Sequence, residues 1–220
     1  MAVRSDETAG AVNGARQRRP RGAVRAGLVA AGVELARASG PDAVVLREAA
    51  RMVGVVPNAA YRHFAGRDQL LAAVGTAAMR ELAARMAAGT SRVRGRHGEA
   101  AAARRRLHAI GQAYLEFARE EPGLFATAFA RPHQHAYDGQ GDGTGQDHPL
   151  PLDQLRAVLD ELADAGVLSR QRRTGIEYPI WSTVHGLAML SGQGPLRDAP
   201  EATRQQLEEV TRAFIDAALA

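Results

Sequence analysis

Two short helical patterns meet across a single glycine between residues 45 and 64, and no other feature constrains the fold of this chain as tightly. The first runs from about Val45 to Met52 and the second from Pro57 to Phe64, with Val53-Gly54-Val55 between them. Glycine tolerates a turn conformation that a side chain resists, so the chain can reverse there within a few residues. Ala49, Ala50 and Val53 are small enough for the two segments to pack closely, and Val55, Ala60 and Phe64 close a miniature core from the second. The same arrangement turns Asn58, Ala59, Tyr61, Arg62 and His63 outward or sideways. A longer helix precedes the pair: Val24, Leu28, Ala31 and Leu35 recur at helical spacing until Gly40-Pro41 ends the segment. Three helices in this order are the elements of a helix-turn-helix, whose last helix fits a major groove about 12 Å wide. Short helical hairpins also occur in enzymes, so the pattern alone leaves both classes open.

Beyond the joint, the apolar period stays helical and no pair of strands is evident. Asp68 is placed to cap a longer helix that carries Leu71, Val74, Ala78 and Leu82 inward. Residues 89–99 read as a loop, and 100–118 as a helix with Leu107, Ile110, Tyr114 and Phe117 on one stripe. Helical patterns return at 152–165, 175–191 and 200–220, the last with Leu207, Val210, Phe214 and Ala217 in register. The expected fold is all-α: a three-helix helix-turn-helix domain over 21–67, then a helical domain over 68–220. Residues 1–20 read as a flexible arm with a basic end at Arg16, Arg18 and Arg19. Residues 131–150 are dense in Gly, Asp, His and Pro and read as a mobile loop.

Charge is segregated along these 220 residues. The first 110 hold 19 basic and 8 acidic residues, the second 110 hold 9 and 16. A basic front half suggests a polyanionic partner. Every basic residue is Arg, whose planar fork matches phosphate and guanine, although a GC-rich genome would also produce that choice. The absence of cysteine excludes a disulfide scaffold, a thiolate zinc site and a cysteine nucleophile. No run approaches the 18 or so apolar residues of a membrane span, and the start lacks the apolar core of a secretory signal. A cytoplasmic protein without a membrane partner is expected. His133, His135 and His148 sit in the Gly/Asp-rich loop, where a fixed tetrahedral zinc site is hard to build, so no metal is assigned. Glu120 and Glu121 beside Pro122 read as a solvated helix end, and Ser169 and Ser182 lack a His/Asp spacing that would make a nucleophile. No phosphate-cradling glycine loop is present. Neither an enzyme nor a cofactor is expected.

The stretch LVAAGVELARASGPDAVVLREAARMVGVVPNAAYRHFAGRDQLL, residues 28–71, resembles the tetracycline-repressor (TetR) family of transcriptional regulators. The matching features are Gly40, Arg47, Gly54-Val55, Tyr61-Arg62-His63-Phe64 and Arg67. More loosely, AIGQAYLEFAREEPGLFATAF and IWSTVHGLAML resemble the regulatory domain of a subgroup marked by Trp181, His185 and Gly186 on one helix. The resemblance implies that Arg47, Pro57, Asn58, Ala59 and Arg62 face bases. It also implies that Tyr61 and His63 touch phosphates and that Arg67 clamps the backbone. Outside the resemblance, Arg18 and Arg19 either solubilise the arm or reach an adjacent minor groove, as homeodomain arms do. Tyr114, Trp181 and His185 would line a pocket for a small-molecule effector, with helix packing as the plainer reading. The last two helices would pair with their twins in a homodimer on a double-stranded, near-palindromic operator. The function implied is a repressor released by its effector.

This chain departs from the family at Val45 and Val56, where a Ser or Thr usually caps the second and third helices. That motivates a competing reading, a ligand-binding or scaffold module whose DNA head is weak.

Overall fold

The computed structural model describes residues 21–130 and 149–219. The arm with Arg18 and Arg19, and the predicted loop up to residue 148, lie outside the described residues. The elements are α1 (Arg21–Ser39), a 3-10 turn (Pro41–Ala43), α2 (Leu46–Val53), α3 (Pro57–Tyr61) and α4 (Arg67–Ser91). Then follow α5 (Ala100–Glu120), α6 (Pro122–Phe129), α7 (Pro151–Asp164), α8 (Arg170–Arg173), α9 (Glu177–Gly192) and α10 (Glu201–Leu219). Among the described residues there is no strand, and no helix is long and apolar enough to cross a membrane.

The stops of the first helices are local chemistry. Gly40 takes φ 76°, its N–H bonds the Ala36 carbonyl at 2.7 Å, and Pro41 follows. Gly54 takes φ 73° and ψ 34° and caps α2 through the carbonyls of Ala50 and Arg51. Val45 and Val56 are extended residues that begin α2 and α3 with no side-chain cap, and Pro57 opens α3 with a φ already set for helix.

Several boundaries differ from expectation. The third helix ends at Tyr61 rather than Phe64, yet Phe64 stays packed in the core, and its N–H still reaches the Ala60 carbonyl at 3.1 Å. Gly66, not Asp68, is the N-cap of α4, and Asp68 lies inside the first turn, where a negative charge favours the helix dipole. The same helix runs on to Ser91, three residues into the predicted 89–99 loop. An unpredicted helix, α6, starts at Pro122: the proline that ends α5 is also well suited to the first position of a new helix. Glu121 is correspondingly not a solvated end. Its side chain is only 15% exposed and pairs with Arg37 of α1 and with Arg85 of α4.

One hydrophobic core runs the length of the molecule, and α4 is its spine. At its N-terminal end Leu70, Leu71 and Val74 join Leu28, Val44, Ala49 and Phe64 in the head. Further along, Ala78, Leu82 and Met86 join α5, α6 and α7 in the body. The four residues expected to face inward, Leu71, Val74, Ala78 and Leu82, do so. Head and body touch a second time where α6 meets the end of α1. A Cβ added to Gly123 would collide with the Ala36 carbonyl oxygen, so only glycine allows that approach.

Candidate DNA interface and ligand cavity

The head buries Ala49, Ala50, Ala60 and Phe64, while Val53 and Val55 are half-buried. Packing these side chains inward fixes what the opposite faces present. Arg47 on α2 is exposed, as are Pro57, Asn58, Tyr61 and Arg62 along α3, with Tyr61 46% accessible. Ala59 and His63, expected beside them, are half-buried. Arg47 and Arg62 have no hydrogen-bond or ion-pair partner among the described residues, so both guanidinium groups are uncommitted. Arg51, by contrast, is bonded to Glu48 at 2.5 Å. Arg67 is also occupied: it donates to the Pro41 carbonyl at 2.8 Å and to Asp42 at 3.2 Å, tying the start of α4 to the 3-10 turn. Arg25 of α1, which sequence reading passed over, lies on the Phe64 ring with its guanidinium carbon 5.0 Å from the centroid.

The charge asymmetry resolves differently in space. Of the front-half arginines, Arg92, Arg94, Arg96, Arg104, Arg105 and Arg106 cluster beyond the far end of α4. Twenty-five helical residues place that end roughly 37 Å from Arg67. Arg106 there pairs at 2.6 Å with Glu161, a buried carboxylate that also accepts from the Gly98 N–H, so part of this charge holds the α4–α5 loop in place.

In the body, a cavity of about 240 Å³ lies between α5, α9 and α10 and is closed by Met86 of α4 and Leu155 of α7. Its inner wall is aliphatic, from Leu107, Ile110, Ile180 and Val184. Tyr114 and Trp181 line it, their ring centroids 5.5 Å apart at an interplanar angle of 70°. His185 does not line it but stands one layer back, with Nδ1 2.8 Å from the Tyr114 hydroxyl and its ring 4.7 Å from Phe129. Burial pushes the His185 pKa down, and a neutral ring can accept the Tyr114 hydroxyl proton at Nδ1. The expected trio is therefore together, as two wall residues and one support.

Outward from this cavity, α9 and α10 expose apolar side chains. Val210 is 60% and Phe214 62% accessible, and Tyr178, Met189 and Leu190 are also exposed. The stripe that periodicity marked on the last helix thus faces away from the chain's own core, which receives Ile215 and Leu219 instead. Among the described residues no atom outside the helix's own backbone lies within 4 Å of a Cβ added to Gly186, so none of them demands glycine there.

A helix-turn-helix head on a helical body with a partly open cavity is the architecture of a two-part helical regulator. Residues 28–74 match the bacterial regulatory proteins of the tetR family, and residues 107–214 match the tetracyclin repressor-like C-terminal domain. Solved structures share the fold over most of the chain. A protein of unknown function from Rhodococcus sp. RHA1 is 24% identical with TM-score 0.62, covering 94% of this chain and 97% of that one. A Shewanella sp. PV-4 protein assigned to the tetR family of transcription regulators is 16% identical with TM-score 0.62, covering 91% and 98%. The TetR family transcriptional regulator PfmR from Thermus thermophilus is 18% identical with TM-score 0.51, covering 87% and 96%. Among curated proteins, none matches this chain in sequence. The chain has the fold and both domains of a tetR-family transcriptional regulator.

Proposed function

We propose that the protein is a homodimeric repressor that holds a near-palindromic operator and leaves it when a small molecule fills the body cavity. The observation that carries this reading is a pairing of opposites: uncommitted Arg47 and Arg62 on the head, and exposed Val210 and Phe214 at the far side of the body. Two heads held by one twofold axis read two half-sites, with centres about 34–36 Å apart in the simplest helix-turn-helix geometry. Arg47 reads a base edge, and Pro57, Asn58, Ala59 and Arg62 complete the readout. Tyr61 and His63 meet phosphates, and Arg18 and Arg19 of the arm reach the adjacent minor groove. Arg67 acts at the backbone only after releasing Asp42. The α9 and α10 helices pair with their twins, with Gly186 permitting close approach.

The effector acts by differential affinity for the two head spacings, since a ligand that binds both equally shifts nothing. Tyr114 and Trp181 contact it and His185 orients Tyr114. We also retain the subgroup assignment marked by Trp181, His185 and Gly186. Its support is that Trp181 and His185 share one aromatic cluster with Tyr114. The protein works in the cytoplasm, without metal, cofactor or catalysis of its own.

A mobility-shift titration with DNA from upstream of the chain's own gene tests the proposal. The expected result is a retarded band that weakens steeply with salt and a footprint confined to one short palindrome. Undetectable or salt-insensitive binding would instead support a ligand-binding module with a weak head, the reading motivated by the uncapped Val45 and Val56.

A further inference from the structure

We propose that the cavity takes a small amphipathic carboxylic acid, its apolar body inside and its carboxylate at the mouth between α5 and α10, beside Arg212. This identifies the effector class and so rests on the effector reading above.

The argument begins with α10, whose inward stripe is Glu208, Arg212, Ile215 and Leu219, at i, i+4, i+7 and i+11. Val210 and Phe214 point the other way, so Arg212 stays at the cavity when those two are covered by a twin. The acids at the mouth are already matched. Asp216 is held by His108 Nε2 at 2.9 Å, and Glu208 by Arg119 of α5 at 3.5 Å. Gln112 is committed too, its amide N–H donating to Glu116 at 2.8 Å. Arg212 is exposed and has no partner among the described residues. The mouth therefore offers one unmatched positive charge and the hydroxyl of Thr211, above an aliphatic interior.

Each ligand class meets a different balance there. A cation finds its acids engaged and must break a pair to enter. A neutral molecule can accept a hydrogen bond from Arg212 but leaves its charge unmatched. A carboxylate completes the one open pairing by a charge-assisted hydrogen bond. The size follows from a cavity of about 240 Å³, which suits a phenyl ring with two methylenes or a medium acyl chain.

The chain contains one tryptophan, Trp181, and it lines the cavity, so intrinsic fluorescence reports on occupancy. Full-length protein is titrated with 3-phenylpropanoate, octanoate, their primary amides and 3-phenylpropylamine, with calorimetry run in parallel. At least one acid is expected to bind about tenfold tighter than its amide, the scale of one charge-assisted hydrogen bond at a partly solvated mouth. Arg212→Gln, a substitution of an exposed side chain, should erase that preference by weakening the acid far more than its amide. The ranking of the two acids tells an aromatic body from an aliphatic one.

Equal affinity for acid and amide, tighter binding of the amine, an acid preference that survives Arg212→Gln, or no acid binding by either method overturns the assignment. Operator affinity, measured with and without the acid, separates the two levels of the claim. Acid binding without operator release sinks the effector reading and leaves the carboxylate site standing. Operator release by a neutral ligand that binds Arg212→Gln equally well does the reverse.

Discussion

The head presents its chemistry on the outside of two short helices, whereas the body arranges its chemistry around an internal space. In the head, Arg47, Asn58, Tyr61 and Arg62 lie within sixteen consecutive positions, and each is exposed because its neighbours Ala49, Ala50, Ala60 and Phe64 are buried. In the body, the cavity wall draws on Leu107, Leu155, Ile180 and Ile215, which come from four different helices. A surface of the first kind is specified by local spacing. An enclosure of the second kind exists only once distant segments have packed, so its selectivity depends on tertiary structure.

The largest expected effect sharpens the division. Phe64→Ala removes the largest buried side chain of the head and should destabilise it by about 3–5 kcal/mol. Two-probe thermal melts should show early loss of DNA binding, with the Trp181 signal of the body lost later. A single coincident transition would show that the shared α4 core couples the parts into one cooperative unit.

Next is Phe214→Asp, at an exposed position of α10. It should leave monomer stability within about 0.5 kcal/mol and cost the dimer at least about 2 kcal/mol, read by sedimentation. Retention of the dimer would move the interface elsewhere. Arg47→Ala should cost about 1–3 kcal/mol in operator affinity and relax preference at one base pair, while Trp181 fluorescence and dimerisation stay unchanged.

Smaller effects follow. Val45→Ser and Val56→Ser each supply a missing cap at an exposed position and should stabilise the head by about 1 kcal/mol in urea unfolding. For the body, the depressed pKa of His185 means that the folded chain binds fewer protons than the unfolded one as pH falls below the ordinary value of 6.5. This contribution is complete above that value and is lost as the solution is acidified. Urea midpoints at several pH values should fall more steeply for the native chain than for His185→Gln. Equal slopes would remove His185 as a source of acid lability.

How far the sequence alone carried differs between the two parts for physical reasons. Gly40 and Gly54 stop helices through their own backbone freedom, and the buried set of the head obeys simple helical spacing, so these features were readable locally. Pro122 was ambiguous because the residue that ends one helix also opens the next. Glu121 looked solvated because its partners Arg37 and Arg85 are remote in the chain. Periodicity found the stripe Leu207, Val210, Phe214 and Ala217, but a stripe does not say which surface it meets. The roles of Tyr114, Trp181 and His185 came from resemblance rather than from spacing. Nothing local marked Ile110, Ile215 or Arg212 as cavity residues. The charge asymmetry pointed to the head, yet six of the arginines behind it stand at the other end of α4.

The close approach at Gly123 limits how freely the two parts can be recombined. An alanine methyl there would lie well inside the van der Waals contact distance to the Ala36 carbonyl oxygen. A foreign head fused to this body inherits that tolerance, whereas this head fused to a body with any larger residue at the corresponding turn must stand off from it. Chimeric sensors built from this protein should therefore carry the opening turn of α6 along with the head, with the splice point placed beyond it rather than at the start of α4.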